Sequence, residues 1–264
     1  MTTMWTGAEA YDHLMGRWSR RLAPLLIEFA EIQNGDRVLD VGCGTGSLTR
    51  ALLEHMPRSE VVGVDPASSY IEYGRQQLTN PQARLEVGDA QNLPYPDAIF
   101  DKCLSLLVVN FIPDARRAVE EMCRVTRPGG TVAAAVWDYG EGMEMLSIFW
   151  DTAVALDRSA EPKHERNMPY CRKSELAALW TEGGLQQVEE TSLTIPLEFG
   201  SFQDYWTPFL SGVGPSGSYV SSLPAEHQSA LQDHLRQRLL GGKGDQPFIL
   251  QARGWAVQGT VPKQ

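Results

Sequence analysis

Cysteine is scarce in this chain: 264 residues hold four, at Cys43, Cys103, Cys123 and Cys171. No two form a Cys-x-x-Cys pair and none joins a histidine at ligand spacing, so neither a disulfide framework nor a metal site is expected. Reduced thiols in a reducing compartment follow, with the cytoplasm as the expected location. The N-terminus lacks the basic-then-apolar pattern of a secretion signal, and no apolar run is long enough to cross a bilayer. Positive charge is also short. Lys and Arg number 23 against 33 Asp and Glu, for a formal net charge of −10. An acidic surface repels polyanions, so neither a nucleic-acid nor a membrane partner is expected. Internal repeats, low-complexity tracts and linker-like stretches are missing, which predicts a single domain over residues 1–264.

What remains is a soluble globular composition, 42% apolar and 21% charged. Leu22, Leu25, Leu26, Phe29 and Ile32 recur at helical spacing, predicting a helical segment over 8–32 with a break or fresh start at Pro24. Apolar runs at 37–41, 61–64, 84–87, 100–107 and 131–137 read as strands. Helices are expected between them: one from Leu48 to Met56, one capped by Ser68 or Ser69, and one capped by Pro113-Asp114 that ends at Arg127-Pro128-Gly129-Gly130. Strands alternating with helices indicate a parallel sheet flanked by helices, whose ligands bind at the carboxyl edge. Beyond Trp137 a short helix is expected at 174–181, strands at 187–199 and 247–257, and a helix at 224–240. The stretch from 200 onward reads as irregular and rich in aromatic residues.

The most informative stretch is Val38-Leu39-Asp40-Val41-Gly42-Cys43-Gly44-Thr45-Gly46-Ser47-Leu48-Thr49. An apolar strand enters three glycines at alternate positions and a helix leaves them. Glycines permit positive φ and close approach of a ligand to the main chain. The helix N-terminus behind them carries positive dipole character. A dinucleotide fingerprint, G-x-G-x-x-G/A, places its third small residue on Ser47, whereas the third glycine here is Gly46, one residue early. The pattern Asp-x-Gly-x-Gly-x-Gly instead resembles the first motif of class I S-adenosylmethionine-dependent methyltransferases. Asp65 ending the second strand, Asp89-Ala90 ending the third and Arg127-Pro128-Gly129-Gly130 before the fifth fall where that superfamily has its later motifs. The resemblance covers roughly residues 36–137.

It implies a Rossmann-like α/β fold: a seven-stranded, mostly parallel sheet in the order 3-2-1-4-5-7-6, with helices on both faces. The cofactor-binding half would occupy 33–137, and the segments 8–32, 138–173 and 200–246 would be lid or substrate-facing insertions. The implied cofactor is S-adenosyl-L-methionine. Gly42, Cys43, Gly44 and Gly46 would form its backbone cradle, with Cys43 a variable position in the turn. Asp40 would help hold its amino-acid end. Asp65, followed by Pro66, would accept from both ribose hydroxyls, although a helix-capping role would also explain an aspartate there. Asp89 would accept from the adenine amino group while the Ala90 N–H donates to a ring nitrogen; a plain turn aspartate is the alternative. Ser105 and Leu106 match positions whose backbone touches the methionine amine.

Methyl transfer from a sulfonium is an in-line displacement that needs alignment and desolvation more than a fixed catalytic group. For an acceptor that must lose a proton, His13 and Asp138 are the candidate bases by position, against ordinary surface and turn roles. The segment from Ala10 to Ser19 resembles the N-terminal helix of quinone-biosynthesis C-methyltransferase relatives, which closes over the site. On that likeness Tyr11 and Trp18 would line the acceptor pocket with Trp137, and Arg17 would pair with the cofactor carboxylate. Amphipathic packing with a solvated arginine is the alternative. The expected partner is a small, apolar or aromatic methyl acceptor, and the expected state a monomer or homodimer. A cofactor-binding protein of this fold without turnover, or a nicotinamide oxidoreductase, are the other readings.

Overall fold

The computed structural model describes residues 7, 9 and 12–263, with the backbone alone described at residue 13. A turn of π-helix, Asp12–Gly16, leads into helix α1, Arg17–Phe29. The chain then alternates β1 (Arg37–Val41), α2 (Ser47–His55), β2 (Glu60–Asp65), α3 (Ser68–Gln77) and β3 (Ala83–Val87). It continues through β4 (Phe100–Leu106), α4 (Ala115–Val125), β5 (Thr126–Trp137) and α5 (Glu144–Leu156). After two short 3-10 turns come α6 (Glu175–Glu182), β6 (Gln186–Phe199), α7 (Phe202–Trp206), α8 (Gly214–Ser222), α9 (Ala225–Leu240) and β7 (Phe248–Thr260).

One seven-stranded sheet runs β3-β2-β1-β4-β5-β7-β6. The first five strands pair in parallel and β7 pairs antiparallel with both β5 and β6. This is the expected order. The chain leaves β1 toward β2 and β3, then returns to β4 on the other side of β1. Right-handed crossovers therefore put α2 and α3 on one face and α4 on the other, and open a crevice at the carboxyl ends of β1 and β4. The central strands are buried on both faces, as Val38, Leu39, Val41, Cys103, Leu104 and Val132–Val136 show. Among the described residues, no helix is long and apolar enough to cross a membrane.

Local departures have physical causes. The helix does not break at Pro24; α1 runs through it. A proline removes one backbone donor, but Leu22, Ala23, Leu26 and Ile27 on the buried face hold the helix to the core. Neither Ser68 nor Ser69 caps α3: Ala67 takes the capping position, and its N–H donates to Asp65 Oδ1 at 2.9 Å. Asp114 does cap α4, accepting from the Arg117 N–H at 2.9 Å. The Arg127–Gly130 run lies inside β5 as a bulge and not as a turn before it: β4 pairs Phe100 with Thr126 and then Lys102 with Thr131. The Gly129 N–H, at φ +78, donates to the Val261 carbonyl, which ties the bulge to the end of β7. Helix α8 forms in a stretch that reads as irregular because it opens Gly-Pro-Ser-Gly. Proline at the first turn and burial of Tyr219 and Val220 outweigh the glycines.

Candidate functional site

β1 delivers the chain to Gly42 with φ +73, and Gly44 and Gly46 follow at +52 and +88. All three sit in a region that side-chain-bearing residues avoid. A Cβ at Gly42 would fall 2.4 Å from the Val108 side chain, so the turn lies flush against the loop after β4. The turn's amides are directed at the end of β2. The Gly42 and Cys43 N–H groups donate to the Val64 carbonyl, at 2.7 and 3.1 Å, and the Gly44 N–H to Asp65 Oδ2 at 3.0 Å. Asp65 thus uses one oxygen to hold the glycine turn and the other to start α3.

A cavity of ≈530 Å³ opens over this junction. Gly42, Gly44, Asp65, Pro66, Asp89 and Ala90 line it, bringing six of the sequence-predicted cofactor residues together. Asp65 is 9% exposed and burial raises its pKa, offset in part by the two backbone donors. Asp89 stands at the exposed mouth, where it accepts from the backbone and side-chain N–H groups of Gln91.

Other predicted residues lie elsewhere. Cys43 faces away from the cavity into a small cluster with Ile71 and Leu85, against Gly63. Burial pushes its thiol well above the usual range. Gly46 packs below the turn, where a Cβ would meet Leu78 at 2.6 Å. Asp40 is fully buried beneath the turn: its Oδ2 accepts from the Thr49 hydroxyl at 2.7 Å and its Oδ1 has no partner. Burial raises its carboxyl to about 7. Ser105 and Leu106 are buried at the end of β4, the Ser105 hydroxyl without a partner.

Arg17 is engaged with the fold. Its guanidinium donates to Asp204 at 2.8 Å and lies over the rings of Trp18 and Phe199. Trp18 is 1% exposed, edge-on to Phe199, in the core and not on a cavity wall. Asp138 is buried in an ion pair with Arg253, whose Nε donates to it at 2.9 Å, and it accepts from the Glu141 N–H. An aspartate so committed holds the β5–β7 junction. Tyr11 lies outside the described residues, as does the side chain of His13.

Trp137, at the carboxyl end of β5, does face a cavity. It lines a smaller chamber of ≈30 Å³ with Leu14, Met15, Tyr139, Glu165 and Ser216. Leu107 and Phe111 line both chambers. Sequence reasoning missed Leu107, Val108, Phe111 and Glu165. The first three were marked only by following an apolar strand at the ligand edge. Leu107, buried with φ +63, is an unusual backbone for leucine at that edge. Nothing in the local sequence singles out Glu165.

Residues present here fit an adenosyl sulfonium cofactor: a carboxylate for the ribose, a side-chain-free turn beside it, and a second carboxylate with a buried alanine amide at the far end. Comparison with known proteins agrees. Residues 39–134 match the methyltransferase domain family. A rice (Oryza sativa subsp. japonica) chloroplastic 2-methyl-6-phytyl-1,4-hydroquinone methyltransferase is 33% identical over 123 residues, 46% of this chain and 37% of that protein. A demethylmenaquinone methyltransferase of Geobacillus is 37% identical over 105 residues, 38% of this chain and 45% of its own length. A malonyl-[acyl-carrier protein] O-methyltransferase of Geobacter sulfurreducens is 29% identical over 182 residues, 69% of this chain and 66% of that one. The chain spans less than half the length of the first two. In fold it is similar to Haemonchus contortus phosphoethanolamine N-methyltransferase 2 in complex with S-adenosyl-L-methionine. That structure has a TM-score of 0.63 at 17% identity, covering 99% of this chain and 59% of that one. The Bacillus subtilis YcgJ protein has a TM-score of 0.59 at 22% identity, covering 92% and 99%.

Proposed function

We propose that this chain, whose residues 39–134 match the methyltransferase domain family, is a class I S-adenosylmethionine-dependent methyltransferase that transfers a methyl group from S-adenosylmethionine to a small metabolite. The observation that carries this reading is Asp65: one carboxylate that braces the glycine turn, starts α3 and lines the ≈530 Å³ cavity. A carboxylate there has lone pairs left for two ribose hydroxyls, and charge-assisted bonds of that kind are strong. Asp89 and the Ala90 N–H would recognise the adenine edge, and Gly42 and Gly44 would let the amino-acid portion lie on the main chain. Asp40, set behind the turn, supports α2 through Thr49.

When bound, the cofactor supplies an activated methyl group, which leaves alignment and water exclusion to the protein. Leu107 and Phe111, which line both chambers, border the place where donor and acceptor would meet, and Trp137 adds an apolar wall to the smaller one. The segments 138–173 and 200–246, with the π-helical turn Asp12–Gly16, form the acceptor side. Small-molecule acceptors suit an enclosed chamber on an acidic chain. Calorimetry with S-adenosylmethionine and with NAD tests the reading, the first binding and the second giving no heat. Asp65→Ala should weaken S-adenosylmethionine at least tenfold, since a charged acceptor of hydrogen bonds is removed. Unchanged affinity would take Asp65 out of the site, and binding of NAD alone would overturn the proposal.

A further inference from the structure

The ≈30 Å³ chamber beside the cofactor cavity has largely apolar walls from Leu14, Met15, Leu107, Phe111 and Trp137, with Tyr139 and Ser216 also lining it, and one carboxyl, that of Glu165. Glu165 is 4% exposed. The Trp150 indole N–H donates to its Oε2 at 2.6 Å, while its Oε1 carries no hydrogen bond. Trp137, which lines the same chamber and is 1% exposed, has an indole N–H without a partner. A buried carboxyl left half-bonded in an apolar chamber is costly to folding, and such groups collect where ligands bind. The chamber has room for about two water-sized groups, enough for a hydroxyl and the atom that bears it.

Resting on the methyl-transfer reading above, we propose that this chamber receives the reactive end of the acceptor and that Glu165 is the catalytic base for a phenolic or enolic hydroxyl. The oxygen's lone pair forms the new oxygen–carbon bond as the donor's carbon–sulfur bond breaks, and the sulfur keeps that pair. The hydroxyl proton passes to Glu165 Oε1, and is lost to solvent after the product leaves. A hydroxyl fits better than an amine. Beside a buried carboxylate an alkylamine is held as ammonium, whose nitrogen has no lone pair to methylate, and a neutral arylamine is a weaker hydrogen-bond donor than a phenol, whereas a hydroxyl can donate to Glu165 and still accept from a donor such as Trp137.

Among the described residues, no cation pairs with Glu165. Its neighbour Arg166 bonds Glu161 at 2.5 Å and faces Asp151 of α5, as does His164, each at 3.7 Å. Arg238 of α9 also turns to Asp151, at 3.3 Å, and Lys163 sits over the Tyr219 ring. Burial lowers the His164 pKa and raises the Glu165 carboxyl to about 7. A base with that value is matched to weakly acidic hydroxyls near neutrality.

The test uses the protein with S-adenosylhomocysteine bound, titrated calorimetrically with three probes of one shape: 4-methylphenol, 4-methylaniline and 1,4-dimethylbenzene. The phenol is expected to bind at least tenfold tighter than the other two. Glu165→Gln, which keeps an acceptor for Trp150, should bring the three within about twofold of each other while S-adenosylhomocysteine affinity stays within twofold. In the wild type the phenol preference should shrink between pH 8.5 and pH 5.5, as protonation turns the charged Glu165 acceptor into a neutral carboxyl that accepts more weakly; this arm stands whether or not the variant folds. A preference that survives in Glu165→Gln, a preference independent of pH, or no preference in the wild type would each overturn the proposal. The last would mean that the chamber holds structural water only. Failure of S-adenosylhomocysteine to bind would instead remove the cofactor reading on which the proposal rests.

Discussion

Asp40 lies fully buried beneath the glycine turn and does not line the cavity. A carboxyl fully buried with a single side-chain donor ionises reluctantly, and its value of about 7 lies well above the ordinary 3.8. The folded protein therefore holds a proton there that the unfolded chain has released between about pH 4 and pH 7. Stability from this group is fully present below pH 4 and declines as pH rises through 7, by on the order of 4 kcal/mol in all. Glu165, raised from 4.5 to about 7, adds a loss of the same sign over the same window. Urea unfolding midpoints should accordingly fall from pH 5 to pH 8, and Asp40→Asn should flatten that slope. An Asp40→Asn curve parallel to wild type would show that Asp40 does not titrate in this range.

Among the elements, α1 shows how a sequence segment can be read correctly as a helix and differently in its contacts. Its arginine serves Asp204 and two aromatic rings, linking α1 to α7 and β6. Partly exposed ion pairs contribute little, and cation–π contacts of this kind about as much. Arg17→Met should therefore lower stability by about 1 kcal/mol and leave S-adenosylmethionine affinity within twofold, as read by calorimetry. A tenfold loss would return Arg17 to the cofactor carboxylate. The strands and the glycine turn were legible because their signals are local: apolar runs, a glycine spacing, aspartates at strand ends. Asp114 was legible as a cap for the same reason. The bulge at Arg127–Gly130 was not, because it depends on β7 arriving from residue 261. Helix α8 was hidden by its glycines, and its burial comes from α5 and the turns around it. The smaller chamber was the least legible part. Residues 14, 107, 137, 165 and 216 meet only once the chain is folded, and no spacing along the sequence encodes that meeting.

For the whole molecule, a cofactor that binds the fold and not the unfolded chain must stabilise it by mass action. At a hundred times its dissociation constant, S-adenosylhomocysteine should add about 2.7 kcal/mol, or roughly 5–10 °C in melting temperature for a chain of this size. In Asp65→Ala, tenfold weaker binding would cut the gain to about 1.4 kcal/mol at the same ligand concentration, roughly half the shift, and weaker binding would cut it further. A thermal scan that shows no shift in the wild type would count against cofactor binding itself.

Leu107 and Phe111 have a consequence beyond the walls they form. Each belongs to both chambers at once, and Leu107 holds its place through an uncommon backbone angle and an N–H bond to the Ala135 carbonyl at 2.7 Å. Interiors are packed too tightly for a shared side chain to move for one ligand without altering the space offered to the other. If donor and acceptor occupy these two chambers as proposed, they are thermodynamically linked: by whatever factor the donor changes affinity for the acceptor, the acceptor changes affinity for the donor.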